Sequence, residues 1–448
     1  MSPFQIQILY ALQFLFTPFG ILAIASFVLL LTLTLLFGKL KWIVFGMMLF
    51  ASTLALHTIE GTPSFMFPLE QLRTQGRATT VALMTIMTIS LLILPNGWRR
   101  KYFVPGLAMF LVFQLVLSLN IAFRSDFSRG AVGMLLDLYA FFLFGVAIPH
   151  ALQTWDDVIS YVRGIASFGV IFAGLNLLQF FVKPSAVVAA RFEGTTNNAQ
   201  LVGQICAMGL LPLCYLLVRS GKARFERPLL AATAAMLVIM LTWSGSRTGV
   251  IMAVVGLALL FRARLSRLAV AGVVIALFAL LAAKIIFPEK QIISEHLFST
   301  GNTRSAVWTT LLHRFFENPF IGVMSNETGG YGESSYLAVA SSLGVMGLIP
   351  FLLALAMIGW SLNHLRRLRS HFADSLLVDL VIATLVQCAA GAIFEDYLLG
   401  ILTVTLLMAF AYMPVLAYLL ESAESPDAVE EHVPVDPEFS SDLPAGAW

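Results

Sequence analysis

Apolar runs of about 15 to 25 residues recur along nearly the whole chain, with only short polar loops between them. Few folds can accommodate such a pattern. A transmembrane barrel would show short alternating segments instead. A soluble domain carries about 25% charged residues, whereas this chain has 12% charged against 59% hydrophobic. The pattern predicts an all-α, polytopic helical membrane protein. Spans are expected at about 19–38, 42–58, 79–94, 102–123, 131–149, 158–182, 199–218, 229–243, 248–261, 268–287, 334–360, 375–394 and 398–420. Residues 1–18 are an interfacial helix or the start of a first span, so the count is about 12–14 transmembrane helices.

Positive charge orients the spans. Basic clusters at 39–41, 99–101, 219–227, 262–267 and 366–369 hold 15 of the 27 Lys and Arg residues, all on one side of the alternation. That side is read as cytoplasmic. The outer loops are then 59–78, 124–130, 183–198, 244–247, 288–333 and 395–397. Three regions follow: N-terminal transmembrane helices over 1–182, a core over 183–420 that contains the long outer loop 288–333, and a tail over 421–448. The tail has eight acidic residues, four prolines and no Lys or Arg, a composition unable to bury a core. The net charge of +2 comes without a basic stripe, so nucleic acid is not an expected partner. Cys206, Cys214 and Cys388 fall within apolar spans, where packing is their expected role. The N-terminus lacks the basic stretch of a cleavable signal, and no internal repeat stands out.

Chemistry is therefore expected in the outer loops or the bundle interior. The stretch 301–347 is a polar, Gly-rich excursion between spans that carries Arg304, Arg314 and Glu333. Residues 303–317 read as an amphipathic helix with Asn302 as N-cap and Asn318-Pro319 as its end. It is either a membrane-surface anchor or one wall of a site beside lipid headgroups. Glu333 follows the flexible run at 329–332. It either complements a helix dipole or serves as a general base. Arg247, in LTWSGSRTGV, lies at a tight hairpin tip between two short spans. It either snorkels to headgroups or meets an anion, with Ser246 and its neighbours adding hydroxyls. Arg191, in RFEGTTNNAQLVG, precedes the span at 199–218. There, Asn197 or Asn198 caps the helix, or an anion sits at its N-terminus. Glu395-Asp396 marks another outer junction, suited to orienting a sugar. His57, His296 and His313 show no metal-ligand spacing, and no P-loop or GxSxG is present. No metal or other cofactor is expected.

These pieces resemble the O-antigen ligase and polymerase superfamily, the Wzy and WaaL type. The resemblance rests on RFEGTTNNAQLVG, LTWSGSRTG, RSAVWTTLLHRFFENPFIG and ESSYLAVASSLGVMGLIPF, in that order over about 191–352. It implies a membrane glycosyltransferase at the outer face of a bacterial inner membrane. Such an enzyme uses undecaprenyl-diphosphate-linked oligosaccharide, with no nucleotide sugar and no metal. By the same resemblance, Arg191 and Arg247 bind diphosphate and either Arg304 or Arg314 supplies a loop arginine. Asn197, Ser246 and Tyr336 are further substrate contacts. The ligase branch carries a His-Asn pair where this chain has Glu333-Ser334. That difference points to a repeat-unit polymerase for exopolysaccharide or O-antigen, with Glu333 as base. Membrane lipids and a chain-length regulator or export machinery are the expected partners. A ligase acting on another acceptor and a transporter of lipid-linked sugar or a small solute are the alternatives.

Overall fold

The computed structural model describes residues 17–54, 66, 69–93, 103–124, 126–182, 187–188, 191–219, 226–262, 304–323, 333–400 and 402–424. The expected span at 268–287, most of the loop 288–333, His57, His296, Asn302, the run 329–332, and the tail beyond 424 lie outside these residues.

The protein is an all-α, multi-pass membrane protein. Among the described residues, eight helices are long and apolar enough to cross a membrane, and four shorter apolar helices accompany them. In chain order the helices are α1 (Pro18–Leu36), α2 (Leu40–Leu54), α3 (Leu69–Thr74), α4 (Gly76–Ile93), α5 (Pro105–Arg124), α6 (Phe127–Ala151), α7 (Trp155–Val182), α8 (Ala199–Arg219), α9 (Glu226–Ser244) and α10 (Arg247–Leu260). The series continues with α11 (Arg304–Glu317), α12 (Ser335–Arg367), α13 (Ser375–Gly391), α14 (Val404–Ala411) and α15 (Met413–Glu424). A two-residue ribbon, β1 (Val187–Val188) with β2 (Arg191–Phe192), pairs antiparallel in the loop before α8.

Several hydroxyls inside these helices are satisfied by their own helix backbone, as an apolar surrounding favours. Thr80, Thr88, Ser90 and Thr233 each donate to the carbonyl four residues back. Caps fix the helix starts. Asp126 accepts from the Ser128 and Arg129 amides at α6, and Asp374 accepts from Leu377 at α13. Three packing groups result: α2 with α4 and α7; α5 with α6 and α12; and α8 with α9, α10 and α13. Phe110, Phe113, Phe351 and Phe410 join α5, α12 and α14 through tilted and edge-on ring contacts.

The helix ends segregate into two faces. The C-terminal ends of α8, α10 and α12 meet the start of α13 at the basic face. There Arg219 pairs with Asp374, and both Arg262 and Arg369 hold the buried Asp379 at 2.7 Å. The N-terminal ends of α8, α10 and α12 meet the end of α13 at the opposite face.

Two expected spans are interrupted. The stretch at 334–360 is not one continuous helix, because α12 breaks at Gly344 (φ 57°, ψ −153°). A Cβ there would stand 2.5 Å from the backbone of Pro319 and Phe320. The turn after α11 enters the break: Val345 and Met346 donate to the Pro319 and Phe320 carbonyls at 2.8 and 3.1 Å. The span expected at 398–420 begins only at Val404. Residues 392–400 and 402–403 run irregularly between α13 and α14, and Leu402 takes a left-handed conformation at φ 59°.

Candidate functional site

The ends of α8 and α10 opposite the basic face are drawn together by two glycines. A Cβ on Gly249 would lie 2.5 Å from the Gly203 carbonyl carbon, so the backbones touch. Only Gly245 and Ser246 separate α9 from α10. Ser246 caps α10, accepting from the Gly249 amide at 3.1 Å, while its hydroxyl donates to Gln200 Oε1 at 2.8 Å. Its hydroxyl is thus engaged in holding the hairpin to α8.

Arg191 stands on one side of this hairpin. The ribbon places it there, and its Nε donates to the Ser244 carbonyl at 2.8 Å. Burial lowers the Arg191 pKa; Glu193 opposes that shift and the neighbouring Arg247 guanidinium adds to it. Burial also raises the Glu193 pKa, with Arg191 opposing. Two guanidiniums close enough to repel make a place where an anion is favourable. Asn198, not Asn197, caps α8, accepting from Gln200 and Leu201. Asn197 is left-handed (φ 56°), and its buried Oδ1 has no hydrogen bond among the described residues.

Arg304 approaches the same hairpin from the other side. It opens α11, which rests on α12 and buries Leu311. Its Nη2 donates to Thr248 Oγ1 at 3.2 Å and lies 3.3 Å from Glu395 Oε1, while its Nε is 3.8 Å from Glu333 Oε2. Thr248 in turn donates to Glu395 Oε1 at 3.2 Å, and Phe394 presents its ring to the guanidinium at 5.3 Å. One cation therefore stands between two carboxylates at the N-termini of α10 and α12. Burial pushes the Glu395 pKa up to about 7, although Arg304 and Thr248 pull it down; Asp396 and Glu333 add to the rise. Glu333 Oε2 is buried and makes no hydrogen bond among the described residues. Its backbone carbonyl accepts from Trp308 Nε1 at 3.2 Å, which ties α11 to the start of α12.

The residues expected from sequence thus fall into two halves joined by one turn. Arg191, Arg247, Asn197 and Ser246 form the first; Arg304 and Glu333 belong to the second. Arg314 does not join them. It lies ten residues along α11, about 15 Å from Arg304 at 1.5 Å per residue, so Arg304 is the arginine of this helix at the site. The Tyr336 hydroxyl donates to the Ala389 carbonyl at 3.1 Å, and its ring packs on Phe351; it braces α12 against α13.

Glu395 and Thr248 have more central places than sequence alone suggested. Glu395 looked like one acid among several because its partners are 91 and 147 residues away in the chain. Compared with known proteins, the chain matches no family model and no curated protein, so the reading of this site rests on its own geometry.

Proposed function

We propose that the chain is a polysaccharide repeat-unit polymerase of a bacterial inner membrane, transferring glycan from a lipid diphosphate to an acceptor sugar hydroxyl. One observation carries this reading. Arg304, held between Glu333 and Glu395, and Arg191 beside Arg247 flank the same five-residue turn, 244–248. The turn combines a cation pair suited to diphosphate with a carboxylate suited to a hydroxyl proton.

In the proposed reaction, an acceptor hydroxyl attacks the anomeric carbon. The bond from that carbon to the diphosphate oxygen breaks, and a glycosidic bond forms. The departing diphosphate gains negative charge, which the half-buried Arg191 and the exposed Arg247 stabilise as neighbouring cations. Glu333, whose Oε2 has no hydrogen-bond donor among the described residues, takes the hydroxyl proton. Arg304 positions both carboxylates.

A ligase uses the same donor chemistry and differs in its acceptor. The transporter reading is favoured by a separate observation: the break at Gly344 and the irregular stretch 392–400 interrupt two spans. The test supplies purified protein with a short lipid-diphosphate-linked oligosaccharide and no other substrate. A ladder of longer lipid-linked glycans, lost in Glu333→Gln, is the expected result. A ladder that survives Glu333→Gln removes the base assignment. Transfer only after a second acceptor is added means a ligase. No transfer at all, with uptake into vesicles, means a transporter.

A further inference from the structure

Ser335 opens α12 two residues after Glu333 and is fully buried. Its amide and its hydroxyl both bond to the stretch 392–398, the irregular chain that follows α13. The amide donates to the Ala392 and Glu395 carbonyls at 2.9 and 3.0 Å. The hydroxyl donates to the same Glu395 carbonyl at 2.7 Å and accepts from the Leu398 amide at 3.3 Å. Non-helical backbone in an apolar bundle must have its polar groups met by other parts of the protein. Here one residue meets two carbonyls and an amide that no helix serves. A strut supports the same stretch from within the bundle. Gln114, buried on α5, donates from Nε2 to the Leu398 carbonyl at 3.0 Å. One turn along α5, Ser118 Oγ donates to Asp137 Oδ2 at 2.9 Å, which fixes α5 to α6. The two carboxylates that reach Arg304 therefore come from two segments that Ser335 joins.

We propose that Ser335 is the positioning residue of the Arg304 cluster, acting through Glu395 and Glu333. Its hydroxyl is spent on backbone, so it is not a group for the substrate. Tying the Glu395 carbonyl to the residue two places after Glu333 holds both carboxylates on one guanidinium. Misplacement of a reacting group by about 1 Å can cost roughly 100-fold in rate. A serine that only satisfied backbone would add stability and leave the Arg304–Glu395 interaction alone. A positioning serine changes that interaction. The turnover part of this inference rests on the polymerase reading; the coupling part does not.

The experiment measures the Arg304–Glu395 coupling by a double-mutant cycle of Arg304→Ala and Glu395→Gln, read by thermal unfolding of the full chain in detergent at pH 8. The cycle is repeated in Ser335→Ala, Ser335→Thr, Gln114→Leu and Asp379→Asn backgrounds. The coupling is expected to fall by about half or more in Ser335→Ala and by less in Gln114→Leu. Ser335→Thr keeps the hydroxyl and should restore it. Asp379→Asn weakens the fold from the basic face and should leave the coupling at its wild-type size. An unchanged coupling in Ser335→Ala, an equal loss in Asp379→Asn, or no coupling in the wild-type chain overturns the proposal. If Ser335→Ala does not fold, an unchanged coupling in Gln114→Leu overturns it instead. With a short lipid-diphosphate-linked oligosaccharide as substrate, Ser335→Ala should lower kcat by about 10-fold or more and leave KM within about twofold. A raised KM at unchanged kcat overturns the positioning role. A wild-type chain that makes no ladder removes the polymerase reading, and the coupling alone then decides the role of Ser335.

Discussion

Removing Arg304 tests the electrostatics of the Arg304–Glu333–Glu395 cluster without any assumption about turnover. The Arg304 and Glu395 side chains are 24% and 22% exposed, and their charged atoms are 3.3 Å apart. At that separation Coulomb's law gives about 5 kcal/mol for an effective dielectric near 20 and about 1.3 kcal/mol in bulk water. A partly wetted pair belongs between these limits. Glu395 has a pKa raised to about 7, so it is ionised and paired at pH 8 and protonated at pH 5. Arg304→Ala should therefore destabilise the fold more at pH 8 than at pH 5, by about 1 to 5 kcal/mol. At an unfolding entropy of about 2.1 cal/mol/K per residue, this is roughly 1 to 5 °C in Tm for a chain of this length. The assay is thermal unfolding at both pH values for wild type, Arg304→Ala, Glu395→Gln and the double variant. At pH 8 the cycle should show a coupling of the stated size, and at pH 5 most of it should be gone. The same coupling at both pH values, or none at pH 8, would refute the argument.

The pKa of Glu395 makes a second prediction. It is raised above the ordinary carboxylate value, so its contribution favours the fold below about pH 4.5 and is lost as pH rises through about 7. Glu395→Gln should flatten the stability profile between those pH values, as read from Tm. A third concerns the contact between α8 and α10: Gly249→Ala places a methyl against Gly203 backbone and should destabilise by about 1 to 3 kcal/mol, measured by thermal unfolding in detergent. At the basic face, Asp379→Asn leaves Arg262 and Arg369 without a carboxylate. Chemical unfolding should show a loss of about 2 to 4 kcal/mol, the lower part of the range for a buried pair because both guanidiniums are partly in solvent.

Helix positions were legible in the sequence because lipid imposes a single requirement on every span, a long apolar run. The starts at Ala199, Glu226, Arg247 and Ser375 lie within three residues of the expectation. The breaks were harder to see. Gly344 looks like any glycine in an apolar run, and only the turn at Pro319 and Phe320 shows why the helix stops there. Arg191, Arg247 and Glu333 stood out because charge is rare in such a chain. The choice of Arg304 over Arg314 depended on helix phase and packing that no local motif records. Asp137 carries a signal readable in the sequence, a carboxylate within the apolar span at 131–149. Gln114 carried less, because an amide in a span becomes informative only once its partners are known.

The shortness of the hairpin between α9 and α10 makes it a gauge of angular phase. Arg191 grips its first leg at Ser244, and Arg304 meets its second at Thr248. Each residue advances a helix by about 100°. Adding one residue between Ser244 and Arg247 would swing Thr248 away from Arg304 and Glu395 while leaving the Ser244 carbonyl where it is. The two halves of the candidate site are thus timed to each other by a spacer of two residues. Changes in that length should break the timing, while Gly245 at φ 62° and the Ser246 cap restrict what the spacer is made of.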